Sequence, residues 1–151
     1  MSPAPLYFAY GSNLDAEQMK ARCPTARALR VARLADHRLD FTHYSKRWSG
    51  GAADVLPAPG RSVWGLVYEM GADDFARLDP FESGYRRLAL ALALDAAGES
   101  LAATSYTVVE KGEYAPHPIY LEKMLRWGAR WRLPGDYLSE LTPIRSPTRP
   151  R

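Results

Sequence analysis

Tyr7-Phe8-Ala9-Tyr10-Gly11-Ser12-Asn13-Leu14 begins as a strand and ends at the start of a helix. Leu6, Tyr7 and Phe8 favour a pleated, half-buried backbone. Gly11-Ser12-Asn13 stops that strand with three turn formers, and Gly11 is free to take φ > 0 and to let a ligand approach the main chain. Asp15-Ala16-Glu17-Gln18 then reads as a variant capping box, with Asp15 at the N-cap and Gln18 three residues on. A strand, a small-residue turn and a helix start in this order aim backbone N–H groups outward, as a site for an anion or a developing oxyanion requires. An ordinary strand-to-helix turn capped by Ser12 or Asn13 fits the same residues.

Outward from this turn the chain alternates short strand and helix signals. Ala28 to Leu34 is weakly strand-like, and Leu39 to Tyr44 alternates, placing Leu39, Phe41 and His43 on one face. Ser45 to Gly51 reads as a polar loop, and Ala52 to Leu56 as a short strand ended by Pro57-Ala58-Pro59-Gly60. Val63 to Tyr68 is apolar almost throughout, the pattern of a strand buried on both faces, and Gly65 within it marks a bulge or a close backbone approach. Ala72 to Leu78 is helical, with Phe75 and Leu78 on one face and Asp73 and Asp74 in its first turn. In Leu88 to Leu94 leucine alternates with alanine; composition favours helix, but strict period two lines the leucines along one strand face. Asp95 to Gly98 is then a hairpin turn and Leu101 to Val109 the return strand. Tyr120, Met124, Trp127 and Trp131 form the stripe of an amphipathic helix, with a core-packing role, and a short helix follows near Asp136 to Leu141. The sum is an α+β layout around a mixed sheet.

The chain has 151 residues, of which 46% are hydrophobic and 25% charged, the proportions of one globular domain. A chain this long buries roughly 70% of its unfolded surface. We expect a single domain over 1–144 and a basic, Pro-rich tail over 145–151. The net charge of +3 equals the three arginines of that tail, Arg145, Arg149 and Arg151, so the body is neutral. That distribution argues against nucleic acid as a partner. One cysteine, Cys23, rules out a disulfide within the chain and points to a reducing cytoplasm. Met1 to Pro5 lacks a basic n-region, so no signal peptide is expected, and no apolar stretch reaches the length of a membrane span.

The inventory of reactive groups is short. His37, His43 and His117 lie at no ligand spacing with Cys23 or with one another, so no metal site is expected. Ser12 lacks a nucleophile-elbow context, and Cys23 reads as a small apolar filler. Glu82 is the remaining candidate. It follows Phe81 and precedes a small-residue turn into a strand, where partial desolvation would raise its pKa and make it an acid–base group near neutrality. A surface ion pair with Arg86 or Arg87 accounts for it equally simply.

Several blocks together resemble the γ-glutamylcyclotransferase family. They are Tyr7 to Leu14, Trp48-Ser49-Gly50-Gly51-Ala52-Ala53, Pro59 to Tyr68, Leu78-Asp79-Pro80-Phe81-Glu82, and Tyr85-Arg86 after it, and the likeness runs from about Leu6 to Ile144. The resemblance implies a small mixed β-barrel flanked by helices, often a homodimer, with neither metal nor cofactor. It implies Glu82 as the catalytic residue and Tyr10, Gly11, Ser12, Asn13, Leu14 and Tyr85 around the substrate. The implied reaction is intramolecular: a γ-glutamyl amino acid or peptide closes to 5-oxoproline and releases its amine. A γ-glutamyl-amine cyclotransferase or γ-glutamyl deacylase of the same fold, or a non-catalytic module for a small anion, stays open at this point.

Overall fold

The computed structural model describes residues 4–94 and 98–141. The expected tail, and Asp95 to Ala97 of the expected hairpin turn, lie outside the described residues. Five strands close into a barrel in the order β1-β3-β2-β4-β5. They are β1 Leu6–Ala9, β2 Arg27–Ser45, β3 Gly50–Glu69, β4 Tyr85–Ala93 and β5 Ser100–Val108. The helices are α1 Ala16–Arg22, α2 Asp74–Leu78, α3 Pro118–Arg130 and α4 Gly135–Leu141, with 3-10 turns at Ser12–Leu14 and Asp79–Phe81. All strand pairs are antiparallel except β1 with β5, which meet in parallel at Tyr7 and Thr104; β2 meets β4 at Arg33 and Ala93. The architecture is the expected mixed barrel.

Two expected strand breaks are absent. Ala28–Leu34 and Leu39–Tyr44 belong to one strand, β2, and Ala52–Leu56 and Val63–Tyr68 belong to another, β3. Pro57 to Gly60 does not end a strand. It forms a wide bulge: His37 pairs with Pro57 and Ala35 with Ser62, so residues 58–61 stand opposite Asp36 alone. Asp36 and Gly60 both take positive φ, 58° and 82°, and the Gly60 N–H donates to Asp36 Oδ1 at 2.9 Å. Pro57 and Pro59 are exposed there, where a missing N–H costs no buried ladder bond. The bulge bends one long hairpin so that both halves join the same barrel.

The period-two reading of Leu88 to Leu94 holds. Leu88, Leu90 and Leu92 face the core from β4, and Ala89 and Ala91 face solvent. In β3, Leu66, Val67 and Tyr68 are buried in succession, so both faces are covered. Gly65 makes the expected close approach: a Cβ there would lie 2.3 Å from the Ala9 carbonyl oxygen and 2.8 Å from the Phe8 ring. The α3 stripe also holds. Tyr120, Met124 and Trp127 are buried, and the half-buried Trp131 donates its indole N–H to the Leu14 carbonyl at 2.8 Å. This bond anchors α3 over the turn that follows β1.

One buried carboxylate joins three parts of the barrel. Asp54 of β3 is fully buried; its Oδ1 accepts from Thr107 of β5, and its Oδ2 from Thr42 of β2 and from Lys111 Nζ at 2.6 Å. These donors are what make a buried charge tolerable.

Gly65→Ala is expected to destabilise the protein by about 2–3 kcal/mol, because backbone rather than a flexible side chain must yield. Urea denaturation measures it, and a midpoint equal to that of the parent would show that β1 and β3 are not packed this closely.

Candidate active site

The Gly11-Ser12-Asn13 turn is built from its neighbours. Asp15 caps α1 as expected: its Oδ1 accepts from the N–H groups of Glu17 and Gln18 at 2.9 and 3.1 Å. The other half of the expected capping box is missing, because the Gln18 amide turns away. Its Nε2 donates to Ser12 Oγ and Asn13 Oδ1, both at 3.0 Å, and its Oε1 accepts from Lys123 Nζ at 2.7 Å. Gly11 does not take positive φ; its φ is −116°. Glycine is needed there for space, since a Cβ would meet the Tyr120 hydroxyl at 3.1 Å and the Ala53 Cβ at 3.3 Å.

Nor do all the turn's amides point at open space. The Leu14 N–H donates to the Gly11 carbonyl at 3.1 Å. The Ser12 and Ala53 N–H groups both donate to the Tyr120 hydroxyl oxygen, the latter at 3.0 Å. Leu14 itself is a buried core residue and does not line the cavity. Tyr10, Gly11, Ser12, Asn13, Glu82 and Tyr85 all do.

That cavity holds about 430 Å³, within the range of small-molecule sites. Its floor is aromatic and buried: Tyr7, Tyr10, Tyr106 and Tyr120, with Ala53 and Ser105 between them. Each hydroxyl is tied to the frame. Tyr10 donates to the Tyr106 carbonyl at 2.7 Å, and Tyr85 donates to the Ala53 carbonyl at 2.7 Å. Burial first of all holds the phenols of Tyr7, Tyr10, Tyr85 and Tyr106 in their neutral form, well above the usual range. Tyr120 is raised to about 12.

Glu82 enters this cavity from the end of the second 3-10 turn. Its N–H donates to the Asp79 carbonyl, and its carbonyl accepts from the Tyr85 N–H, both at 2.9 Å. Gly84 is the third residue of that tight turn and has φ 88°, a region open to glycine. A Cβ at 84 would also strike the His43 ring at 2.4 Å. Neither Arg86 nor Arg87 pairs with Glu82. Arg87 instead grips Asp79, which also accepts from the Tyr106 hydroxyl at 2.6 Å. One carboxylate of the Asp79-Pro80-Phe81-Glu82 stretch is thereby fixed as an anion, and the other is left for the cavity.

Burial pushes the Glu82 carboxyl up to about 7 from an ordinary 4.5. The Arg22 cation opposes that rise, the Asp79 charge adds to it, and a hydrogen bond from Asn13 draws it down. Phe81 is not what buries it, as that ring is 46% exposed and lies under the Arg22 guanidinium. The tyrosine floor is close enough to feel the Glu82 charge at every ring named above.

Asn13 is the residue that connects these parts. Its Nδ2 donates to the Tyr7 hydroxyl at 2.9 Å and to Glu82 Oε1 at 3.3 Å. Its Oδ1 accepts from Gln18 and from Arg22 Nη1 at 3.0 Å, which fixes the amide's orientation. Tyr7, Arg22, Tyr106 and Tyr120 were not singled out as site residues from the sequence. A signal for Arg22 existed: Asp15, Gln18 and Arg22 fall on one face of α1 by helical spacing. Tyr120, expected on the core-packing stripe of α3, is both core and cavity floor.

Other candidates are excluded by their surroundings. Cys23 is fully buried, and burial pushes its thiol to about 11, the opposite of an activated nucleophile. Ser12 Oγ accepts from Gln18, and no histidine or carboxylate hydrogen-bonds to it among the described residues. Among the described residues no three His, Cys, Asp or Glu side chains converge to hold a metal ion, and no helix is long and apolar enough to cross a membrane.

Comparison with known proteins agrees with this geometry. The family model for γ-glutamyl cyclotransferase, AIG2-like proteins matches residues 7–127. The mouse protein named γ-glutamylcyclotransferase is 35% identical over 147 residues, covering 92% of this chain and 78% of its own. A solved structure titled γ-glutamyl cyclotransferase superposes with a TM-score of 0.85 at 33% identity, covering 92% of this chain and 86% of the other. An uncharacterized human protein of known structure gives 0.89 at 32% identity, covering 99% and 93%. The chain therefore belongs to the γ-glutamyl cyclotransferase, AIG2-like family.

The raised Glu82 pKa has a consequence for stability. The unfolded chain ionises this group near 4.5, the folded chain near 7. Its favourable contribution is thus complete below about 4.5 and is lost as pH rises through 7. Glu82→Gln is expected to match the parent near pH 4 and to exceed it by about 3 kcal/mol at pH 8. Paired denaturation curves at the two pH values measure this, and a variant no more stable at pH 8 would place Glu82 in solvent.

Proposed function

We propose that this protein is a γ-glutamylcyclotransferase, converting a γ-glutamyl amino acid or peptide to 5-oxoproline and a free amine. The observation that carries the reading is a carboxyl poised near neutrality, free of any salt bridge among the described residues, in a tyrosine-floored cavity. The substrate is a small molecule, and the single cysteine supports a cytoplasmic setting.

The substrate's α-ammonium cannot attack until it loses a proton. Glu82 accepts that proton and frees the lone pair. The α-nitrogen then bonds to the γ-carbonyl carbon and forms a five-membered tetrahedral intermediate. Glu82 returns the proton to the leaving nitrogen, the carbon–nitrogen bond to it breaks, and the attacking nitrogen releases its second proton, which the departing amine takes up as ammonium. Two protons pass from one nitrogen to the other, and nothing is oxidised or reduced. Both reacting groups belong to one molecule, so positioning supplies most of the acceleration. Asn13 holds Glu82 within reach, and the floor excludes the water that would hydrolyse the same bond. A module that only binds small anions has no use for a carboxyl held near 7, which favours the enzyme over that reading.

The base form of Glu82 is required, so kcat/KM is expected to fall by about tenfold per pH unit below about 7. Glu82→Gln keeps the size of the side chain and loses the base, and kcat for 5-oxoproline release from γ-glutamyl-alanine is expected to fall about 10²–10⁴-fold. A variant that turns over at the parental rate would remove Glu82 from the mechanism.

A further inference from the structure

Arg22 is 8% exposed and lines the cavity, yet it forms no salt bridge among the described residues. It donates from Nη1 to Asn13 Oδ1, lies over the face of Phe81 and feels the Glu82 charge without pairing with it, and its Nε has no hydrogen-bond partner among the described residues. A guanidinium taken out of water in this way is costly unless an anion comes to it. Arg47, close enough for its charge to oppose that of Arg22, lines the same cavity together with Lys46. Neither Lys46 nor Arg47 has an ion-pair partner among the described residues.

Arg47 lies near Arg22, and Lys46 precedes it in the chain. Lys46 and Arg47 sit in the β2–β3 turn, which Trp48 fastens down by packing against Tyr120 at 5.2 Å between ring centres. They are exposed, as is Phe81, whereas Tyr7, Tyr10, Asn13 and Tyr120 are buried. Exposure therefore separates a mouth from a floor. With its reacting end at the floor beside Glu82, Asn13 and the buried Arg22, a substrate would direct its leaving amine toward the exposed Lys46 and Arg47 at the mouth. Among the described residues, Glu82 is the only carboxylate that lines the cavity. A γ-glutamyl amino acid with a neutral side chain brings one net negative charge, too few to answer three cations and one ionised carboxylate. A second carboxylate on the leaving amino acid completes the balance.

We infer that Arg22, Lys46 and Arg47 form an anion-binding arm that selects γ-glutamyl substrates whose leaving amino acid carries an acidic side chain. The inference rests on the proposed cyclotransferase reaction and adds the identity of the leaving group. The arm also works against a leaving amine of positive charge, such as lysine joined through its side chain, by placing like charges together.

The test compares kcat/KM for γ-glutamyl-glutamate, γ-glutamyl-alanine and γ-glutamyl-lysine, in the parent and in a Lys46→Ala, Arg47→Ala double variant. Both residues are exposed, so the variant is expected to fold, and circular dichroism verifies it. The parent is expected to prefer the glutamate substrate to the alanine one by about tenfold, the worth of a charge-assisted contact. That preference is expected to shrink toward unity in the double variant and, for the parent, in high salt. If γ-glutamyl-alanine yields 5-oxoproline and the parent shows no acidic preference, or the variant keeps it, the arm is overturned while the activity stands. If none of the three substrates yields 5-oxoproline, both readings fall.

Discussion

The Asn13 side chain is the contact on which the site depends. A single buried amide accepts from Gln18 and Arg22 and donates to Tyr7 and Glu82, while its own backbone carbonyl accepts from the Tyr68 hydroxyl at 2.9 Å. An amide has two donors and one acceptor oxygen, and all are in use, so it cannot flip without orphaning several groups at once. α1, β1, β3 and the turn before β4 are thus held to one another through one residue. Glu82 owes its place to that arrangement rather than to any ion pair.

A second rivet stands behind the first. Asp54 draws Thr42, Thr107 and Lys111 together in the barrel wall, and its chain neighbour Ala53 receives the Tyr85 hydroxyl and donates its N–H to Tyr120. The wall and the cavity floor therefore share a peptide segment. Buried polar groups of this kind are rigid because each partner lost would leave another unsatisfied.

Much of this was legible in the sequence, and the failures share a cause. The leucine–alanine alternation, the apolar run at Val63 to Tyr68 and the α3 stripe depend on local periodicity, which the fold preserves. Pro57 to Gly60 misled because the same residues serve a turn and a bulge, and only the pairing partner, Asp36, decides which. Gly11 does not use the backbone freedom that its residue type offers; what demands glycine there is the Tyr120 hydroxyl, from a helix far along the chain. Glu82 as a catalytic candidate was legible through family resemblance, and its lack of a salt bridge was not, because Arg87 pairs with Asp79 instead. Arg22 lies on a readable helical face with Gln18, but its lack of a direct salt bridge among the described residues exists only in three dimensions.

The barrel closes along one very short parallel seam, where Tyr7 of β1 meets Thr104 of β5. The long β2–β3 hairpin joins neighbouring stretches of chain and incurs little loop entropy, whereas this seam unites the first strand with the fifth and costs more. The cavity takes Tyr7 and Tyr10 from one side of the seam and Ser105 and Tyr106 from the other. A chain with the hairpin formed but the seam open has no pocket at all. Ligand binding is therefore coupled to closure of this seam, and any molecule that fills the pocket acts as a clasp on the closed barrel, stabilising it in proportion to the logarithm of its concentration.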